Sequence, residues 1–387
     1  MDIFEIINQV GENREEYLGA VSPPIFQTAM FATKTVAAMR EKIANESDSP
    51  FYSRGTNPSF QQVAQKIAQL EKAEDCLLFA SGSAAVSAAV LVHLEQGNHI
   101  VSVQKPYSWS KKLMTEFLPR FGVTTSFVEG TISENFEKAI QKNTKVIYLE
   151  SPNSWTFEQQ NIEEVVKIAK KYNLITVFDN SYATPINQNP IALRVDIVIH
   201  SGTKYLSGHS DTVAGVLCAS KMITKKIFAS EYMTLGGVIS PLNAWLLLRG
   251  LRTLPLRMKQ VAETTPKIVD FLANHPKIEE VFYPFHEKNP QFALAKKQMK
   301  QGTGQFTIAL KTDNQEKVER FCEKLHHFLL AVSWGSYESL IFPACALPLQ
   351  TGNYKSGDLK PNWVRFSVGF EEADTLIADL ENALQEI

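Results

Sequence analysis

Lys204 follows an aliphatic run, Ile197-Val198-Ile199, by way of His200-Ser201-Gly202-Thr203, and leads into Tyr205-Leu206-Ser207-Gly208-His209. The run reads as a buried strand that ends in small hydroxylated residues. In open α/β sheets, ligands bind beyond the carboxyl ends of the strands. Hydroxyls and backbone N–H groups at such a turn suit a phosphate. A lysine beside them could form an imine with an aldehyde cofactor. From this stretch alone, a surface lysine after a strand fits as well. Residues 201–204 also spell S-x-x-K, the nucleophile motif of penicillin-recognising enzymes, but the S-D-N and K-T-G strings they require do not occur.

A second reactive group stands upstream. Val177-Phe178-Asp179-Asn180-Ser181 closes another β-branched strand with an acid. A carboxylate there can face a cofactor at the same sheet edge, and a pyridoxal ring needs an acid against its nitrogen to remain an electron sink. The alternative is an Asp-Asn that caps the next loop.

The surrounding pattern supplies elements to carry both groups. Helical spacing over 60–71, 83–94 and 165–171 alternates with strand-sized apolar runs at 76–79, 99–103, 124–128, 146–149, 175–178 and 197–199. That rhythm predicts a mainly parallel sheet covered on both faces. A long helical pattern at 242–272 follows, with Gly250 and Pro255 expected to bend it. Strand patterns at 305–310 and 364–368 and helical ones near 316–325 and 373–387 predict a smaller α+β domain. The first fifty residues read as an arm, extended around Pro23-Pro24. The expected division is an arm at 1–50, a large domain at 51–240 and a small domain at 241–387.

Bulk properties narrow the class. A chain of 387 residues is long for one hydrophobic core, and 44% hydrophobic with 21% charged residues suits a globular protein. A net charge of -2 gives no reason to expect nucleic acid or an anionic membrane as partner. The lysine clusters at 221–226 and 296–300 read as solvated helix faces. Cys76, Cys218, Cys322 and Cys345 are widely spaced and form no CxxC, which argues against a disulfide framework or metal site. The N-terminal stretch has no signal-peptide pattern and the longest apolar run, near 84–94, is too short to span a bilayer. A cytoplasmic protein is expected.

Eight strings in order carry a family resemblance. They are Tyr52-Ser53-Arg54-Gly55-Thr56-Asn57-Pro58, Ser81-Gly82-Ser83-Ala84-Ala85, Glu150-Ser151-Pro152, Asp179-Asn180-Ser181-Tyr182-Ala183-Thr184-Pro185, the Lys204 string, Arg249-Gly250-Leu251-Arg252-Thr253-Leu254, Ser333-Trp334-Gly335-Ser336-Tyr337-Glu338-Ser339-Leu340 and Val364-Arg365-Phe366-Ser367-Val368-Gly369. Together they resemble the Cys/Met-metabolism enzymes dependent on pyridoxal 5'-phosphate (PLP), the group of cystathionine γ-synthase and the cystathionine lyases, nearly end to end. The resemblance implies the aspartate-aminotransferase-like fold, fold type I. It implies that Lys204 is the Schiff-base lysine and proton carrier, and that Asp179 pairs with the pyridine nitrogen. Gly82 and Ser83 would give N–H groups to the phosphate, with hydroxyls from Ser201 and Thr203. Tyr107 would stack on the ring and help protonate the leaving group. Arg365 would clamp the substrate's carboxylate, helped by the backbone of Ser333. Tyr52 and Arg54 would reach the phosphate of a neighbouring subunit, making a dimer the smallest active unit, with dimers pairing further.

Several positions depart from the family's usual pattern. Ser81-Gly82-Ser83 replaces Ser-Gly-Met. Pro152-Asn153-Ser154-Trp155 shifts the expected asparagine by one, so either Asn153 or Ser154 could face the cofactor. Tyr107-Ser108-Trp109-Ser110 lacks the cysteine typical of methionine γ-lyases. The strings at 150–156 and 333–339 are similar to those of bacterial cystathionine β-lyases, and Trp109 and Trp334 could narrow the pocket. These features favour a carbon–sulfur lyase acting on cystathionine or a related amino acid. A γ-replacement transferase is the alternative, and a non-catalytic PLP-fold binding protein the remote one.

Overall fold

The computed structural model describes residues 1–347 and 359–387. Short aliphatic strands form a seven-stranded sheet from β1 (Asp75–Phe79), β2 (His99–Val103), β3 (Thr124–Val128), β4 (Thr144–Glu150), β5 (Ile175–Asp179), β6 (Ile197–Ser201) and β7 (Gly215–Ala219), in the order β1-β7-β6-β5-β4-β2-β3. The pairs β2–β3, β2–β4, β4–β5 and β5–β6 are parallel, and β7 alone runs against its neighbours β6 and β1. Near-continuous burial of β2, β4, β6 and β7 follows from helices on both faces. One face packs the helix Gly82–Leu91 through Ala85, Val86 and Ala89; the other packs Ile162–Lys171 through Val165, Val166 and Ala169.

A second, smaller sheet contains β8 (Ile278–Phe282), β9 (Gln305–Leu310), β10 (Leu329–Leu330), β11 (Leu340–Pro343) and β12 (Trp363–Ser367), ordered β10-β11-β12-β9-β8. The helices Gln315–Lys324 and Ala373–Ala383 cover it, burying Val318, Phe321, Leu376 and Leu380. The pattern-based strands at 99–103, 124–128 and 305–310 match the structure residue for residue. Strand β7 and strands β8, β10 and β11 had no period strong enough to announce them. In the N-terminal stretch, Ile6 and Ile7 of the helix Ile3–Gln9 join the large core.

The helix Pro241–Ala273 connects the two sheets and runs unbroken through Gly250, Pro255 and a second internal proline, Pro266. Leu247, Leu251 and Met258 enter the core below the first sheet, while Ile268 and Leu272 enter that of the second. Gly250 has a specific task. A β-carbon there would collide with the carbonyl oxygens of Leu206 and Ser207, so the bare glycine lets the loop after Lys204 lie on the helix. Buried Arg257, one side of the same helix, closes over that loop. It donates to the Gly250 carbonyl at 2.8 Å and to the Leu206 carbonyl at 3.5 Å. The expected outcome for Gly250→Ala is a loss of about 1–3 kcal/mol in stability, typical of overpacking a close contact. A thermal melt checks it, and an unchanged midpoint would contradict the contact.

Candidate active site

Because β4, β5 and β6 are parallel neighbours, their carboxyl ends fall at one edge. Glu150 pairs with Asp179 in register, and Ser201 ends the next strand. A cavity of about 440 Å³ opens there, lined by Gly82, Ser83, Tyr107, Asp179, Ser201, Thr203, Lys204, Ser333 and Arg365, among others. Nine of the predicted site residues therefore converge. Tyr52 and Arg54 do not: they lie outside this cavity, with the Arg54 guanidinium 5.4 Å from the Tyr52 ring centre.

Lys204 sits in the turn that β6 feeds. Its N–H donates to the Ser201 carbonyl at 3.1 Å, and the Gly208 N–H returns to its carbonyl at 2.9 Å. Its amine is buried, and burial, followed by the charge of Arg365, lowers its pKa to about 8, against the opposing pull of Asp179. A neutral amine is thus reached in mildly basic solution, which is what a nucleophilic lysine requires. The ammonium form is 5.7 Å from the Trp334 ring centre, and Trp334 meets Tyr205 edge-on at 5.4 Å.

Asp179 is partly buried and lines the cavity from the end of β5. Burial pushes its carboxyl up, while the Ser181 N–H, 2.9 Å from Oδ1, favours the ionised form. A cation against it would restore an ordinary carboxylate. Glu150 beside it is pushed up to about 8 by burial and then by Asp179's charge. Its Oε2 accepts the Tyr107 N–H at 2.6 Å and its Oε1 accepts the Ser154 hydroxyl at 2.9 Å. Glu150 thus fixes the backbone of Tyr107, a link that motif reading assigned to no residue. An acid within the aliphatic run of β4 was the available signal.

The helix Gly82–Leu91 points its start at the same cavity. Ser81 caps the Ala84 N–H at 3.1 Å, and the earlier N–H groups of a helix have no partner within it. A β-carbon at Gly82 would stand 3.3 Å from Ser201 Oγ, so hydroxyl and helix start share one concavity. An anion is favoured there. Thr203 adjoins it, its hydroxyl donating to the Ala214 carbonyl at 3.3 Å. Of the two displaced candidates, Ser154 commits its proton to Glu150. Asn153 is buried with neither amide atom partnered.

Arg365 reaches the cavity from β12. Its Nη2 donates to the Ser333 carbonyl at 3.5 Å, and Ser333 takes a left-handed backbone, φ 85°. The residues present fit PLP: an anion cradle, a partly buried acid, an amine lowered toward neutrality and an orphaned buried amide surround one volume.

Comparison with known proteins agrees. The family described as Cys/Met metabolism PLP-dependent enzyme matches residues 6–385. The chain belongs to that family. Among relatives of this Cys/Met-metabolism enzyme, a cystathionine gamma-lyase of Bacillus subtilis (strain 168) is 36% identical, with 97% of each chain covered. An L-methionine gamma-lyase of Fusobacterium nucleatum subsp. nucleatum is 35% identical, covering 95% of this chain and 94% of the relative. Cystathionine beta-lyase MetC of B. subtilis is 34% identical, covering 95% and 93%. The crystal structure of metB from Corynebacterium glutamicum superposes with a TM-score of 0.93 at 30% identity, covering 100% of this chain and 98% of the other. The enzyme is PLP-dependent and has fold type I. Among the described residues no helix is long and apolar enough to cross a membrane.

The lowered amine gives a pH prediction. The cofactor-free protein should take up PLP at a rate that rises with pH through a midpoint near 8, since the neutral amine is the reacting form. Stopped-flow absorbance measures it, and a midpoint at the ordinary lysine value would contradict the enclosed position of Lys204.

Proposed function

We propose that this PLP-dependent carbon–sulfur lyase of sulfur amino-acid metabolism performs β- or γ-elimination on cystathionine or a related amino acid, releasing a thiol, ammonia and a 2-oxo acid. The observation that carries the reading is the convergence of Lys204, Asp179, Tyr107 and Arg365 on one cavity. The named lyase relatives, aligned over nearly the full chain, support the reaction class.

PLP, when bound, supplies an electron sink in conjugation with the substrate's Cα. Arg365 would hold the substrate carboxylate through its planar fork, with the Ser333 backbone fixing the guanidinium. Asp179 would face the ring nitrogen. Gly82, Ser83, Ser201 and Thr203 would hold the phosphate, and Asn153, with its free amide, would face the ring's hydroxyl side. Lys204, neutral at mildly basic pH, would take the proton from Cα. Tyr107, anchored by Glu150, or Lys204 itself would deliver a proton to the departing sulfur.

Tyr52 and Arg54 would complete the phosphate site of a second copy. Their position outside their own cavity supports this, as does the exposed apolar side chain of Met30, whose backbone bridges to that of Tyr52. We take the assembly to be at least a dimer, pairing further into a tetramer, and the compartment to be the cytoplasm. The division into an arm (1–50), a large domain (51–240) and a small one (241–387) belongs to the same reading.

Two experiments test it. Purified holoenzyme offered L-cystathionine should release pyruvate or 2-oxobutyrate. Product formation from O-acyl-homoserine plus cysteine, without either oxo acid from cystathionine, would replace elimination with γ-replacement. Separately, Lys204→Ala and Arg54→Ala should each lower activity at least ~100-fold, and mixing the two after reversible dissociation should restore about a quarter of it, since one hybrid site in two carries both native residues. No recovery would argue against sites shared between subunits.

A further inference from the structure

Arg365 lies against two aromatic rings. Its guanidinium carbon is 5.2 Å from the centre of the Trp155 ring and 5.2 Å from that of Phe342. The two rings are 5.5 Å apart and tilted by 42°. The three groups therefore form a nearly equilateral triangle, and all three line the cavity.

The two walls have different origins. Phe342 on β11 stands opposite Arg365 on β12 in the antiparallel register, so the second sheet alone brings them together. Trp155 arrives from the first sheet, five residues beyond the end of β4, and buries its ring against Ala309, Ala344 and Trp363 of the second. Its backbone is left-handed, φ 68°, a conformation that a bulky residue holds only where its surroundings dictate it.

We propose that Trp155 and Phe342 are positioning residues that preset the Arg365 guanidinium for a substrate carboxylate. The physical reason is conformational. An arginine side chain has many rotamers, and fixing them on binding weakens the complex. Two ring faces attract the cation before the substrate arrives and narrow the set of rotamers it samples. The Ser333 carbonyl, 3.5 Å from Nη2, adds a further contact to the same guanidinium. Trp155 also ties this preset to the contact between the two sheets.

The proposal rests on Arg365 as the carboxylate clamp, and one set of titrations separates the two claims. The visible absorbance of the holoenzyme is followed while L-alanine or L-alaninamide is added. Both offer the same amine and neither has a leaving group, but only alanine has a carboxylate. Arg365→Ala should erase the preference for alanine. If it does not, the clamp reading fails. With the clamp upheld, Trp155→Leu and Phe342→Leu should each weaken alanine roughly tenfold and leave alaninamide unchanged, the loss expected for one ring contact in an enclosed site. In turnover the same variants should raise KM with kcat largely kept, and Trp155→Phe should stay within about twofold of the parent. Phe342→Leu leaves the left-handed turn untouched, so it decides the matter even if Trp155→Leu does not fold. An unchanged alanine-to-alaninamide ratio in Phe342→Leu would overturn the proposal.

Discussion

Parallel pairing of β4, β5 and β6 brings Glu150, Asp179 and Ser201 to a common edge, and much of the site depends on that register. Two carboxyls end side by side at the edge of the cavity. Each is pushed up by burial, and Glu150 further by its neighbour. Such a pair needs donors or a cation to be tolerable. The Tyr107 and Ser181 N–H groups and the Ser154 hydroxyl meet part of that need. In the proposed reading, the ring nitrogen of a bound cofactor supplies the cation. Enclosure therefore serves the chemistry twice, lowering the amine of Lys204 and raising the demand for a positive partner at Asp179.

The loop that carries Lys204 is held from behind. Gly250 and Arg257 clamp residues 206–208 onto the helix Pro241–Ala273, and Gly335 packs its backbone against Tyr205. That helix also belongs to the core of the second sheet, which sends Arg365 and Ser333 into the cavity. The distance between amine and guanidinium is thus set by one rigid element shared between two cores. The charge of Arg365 is felt by Lys204 as a consequence.

Much of this was legible in one dimension. Strands such as β2, β3 and β9 are short, apolar and bounded by turn residues, so their period and length suffice to place them. Lys204 and Asp179 stood out through strings at the ends of β6 and β5, and Arg365 through a charge in the middle of the apolar β12. The edge strands β8 and β10, and β11 beside the latter, did not. Glu279 and Glu280 break the apolar pattern in β8, and β10 is two exposed leucines. The role of Glu150 was hidden because its partner, the Tyr107 N–H, is 43 residues away and a backbone group carries no letter in the sequence.

Lys204 as an amine after a strand, Asp179 as an acid closing another, and their place in an α/β chain of this family were determined by the sequence itself, since local period and ordered motifs need no third dimension. Tertiary structure decided which groups face each other. It left Tyr52 and Arg54 outside their own cavity, committed Ser154 rather than Asn153 to Glu150, and put a tryptophan from one sheet against an arginine of the other. Those contacts join residues far apart in the chain, and only packing brings them within reach.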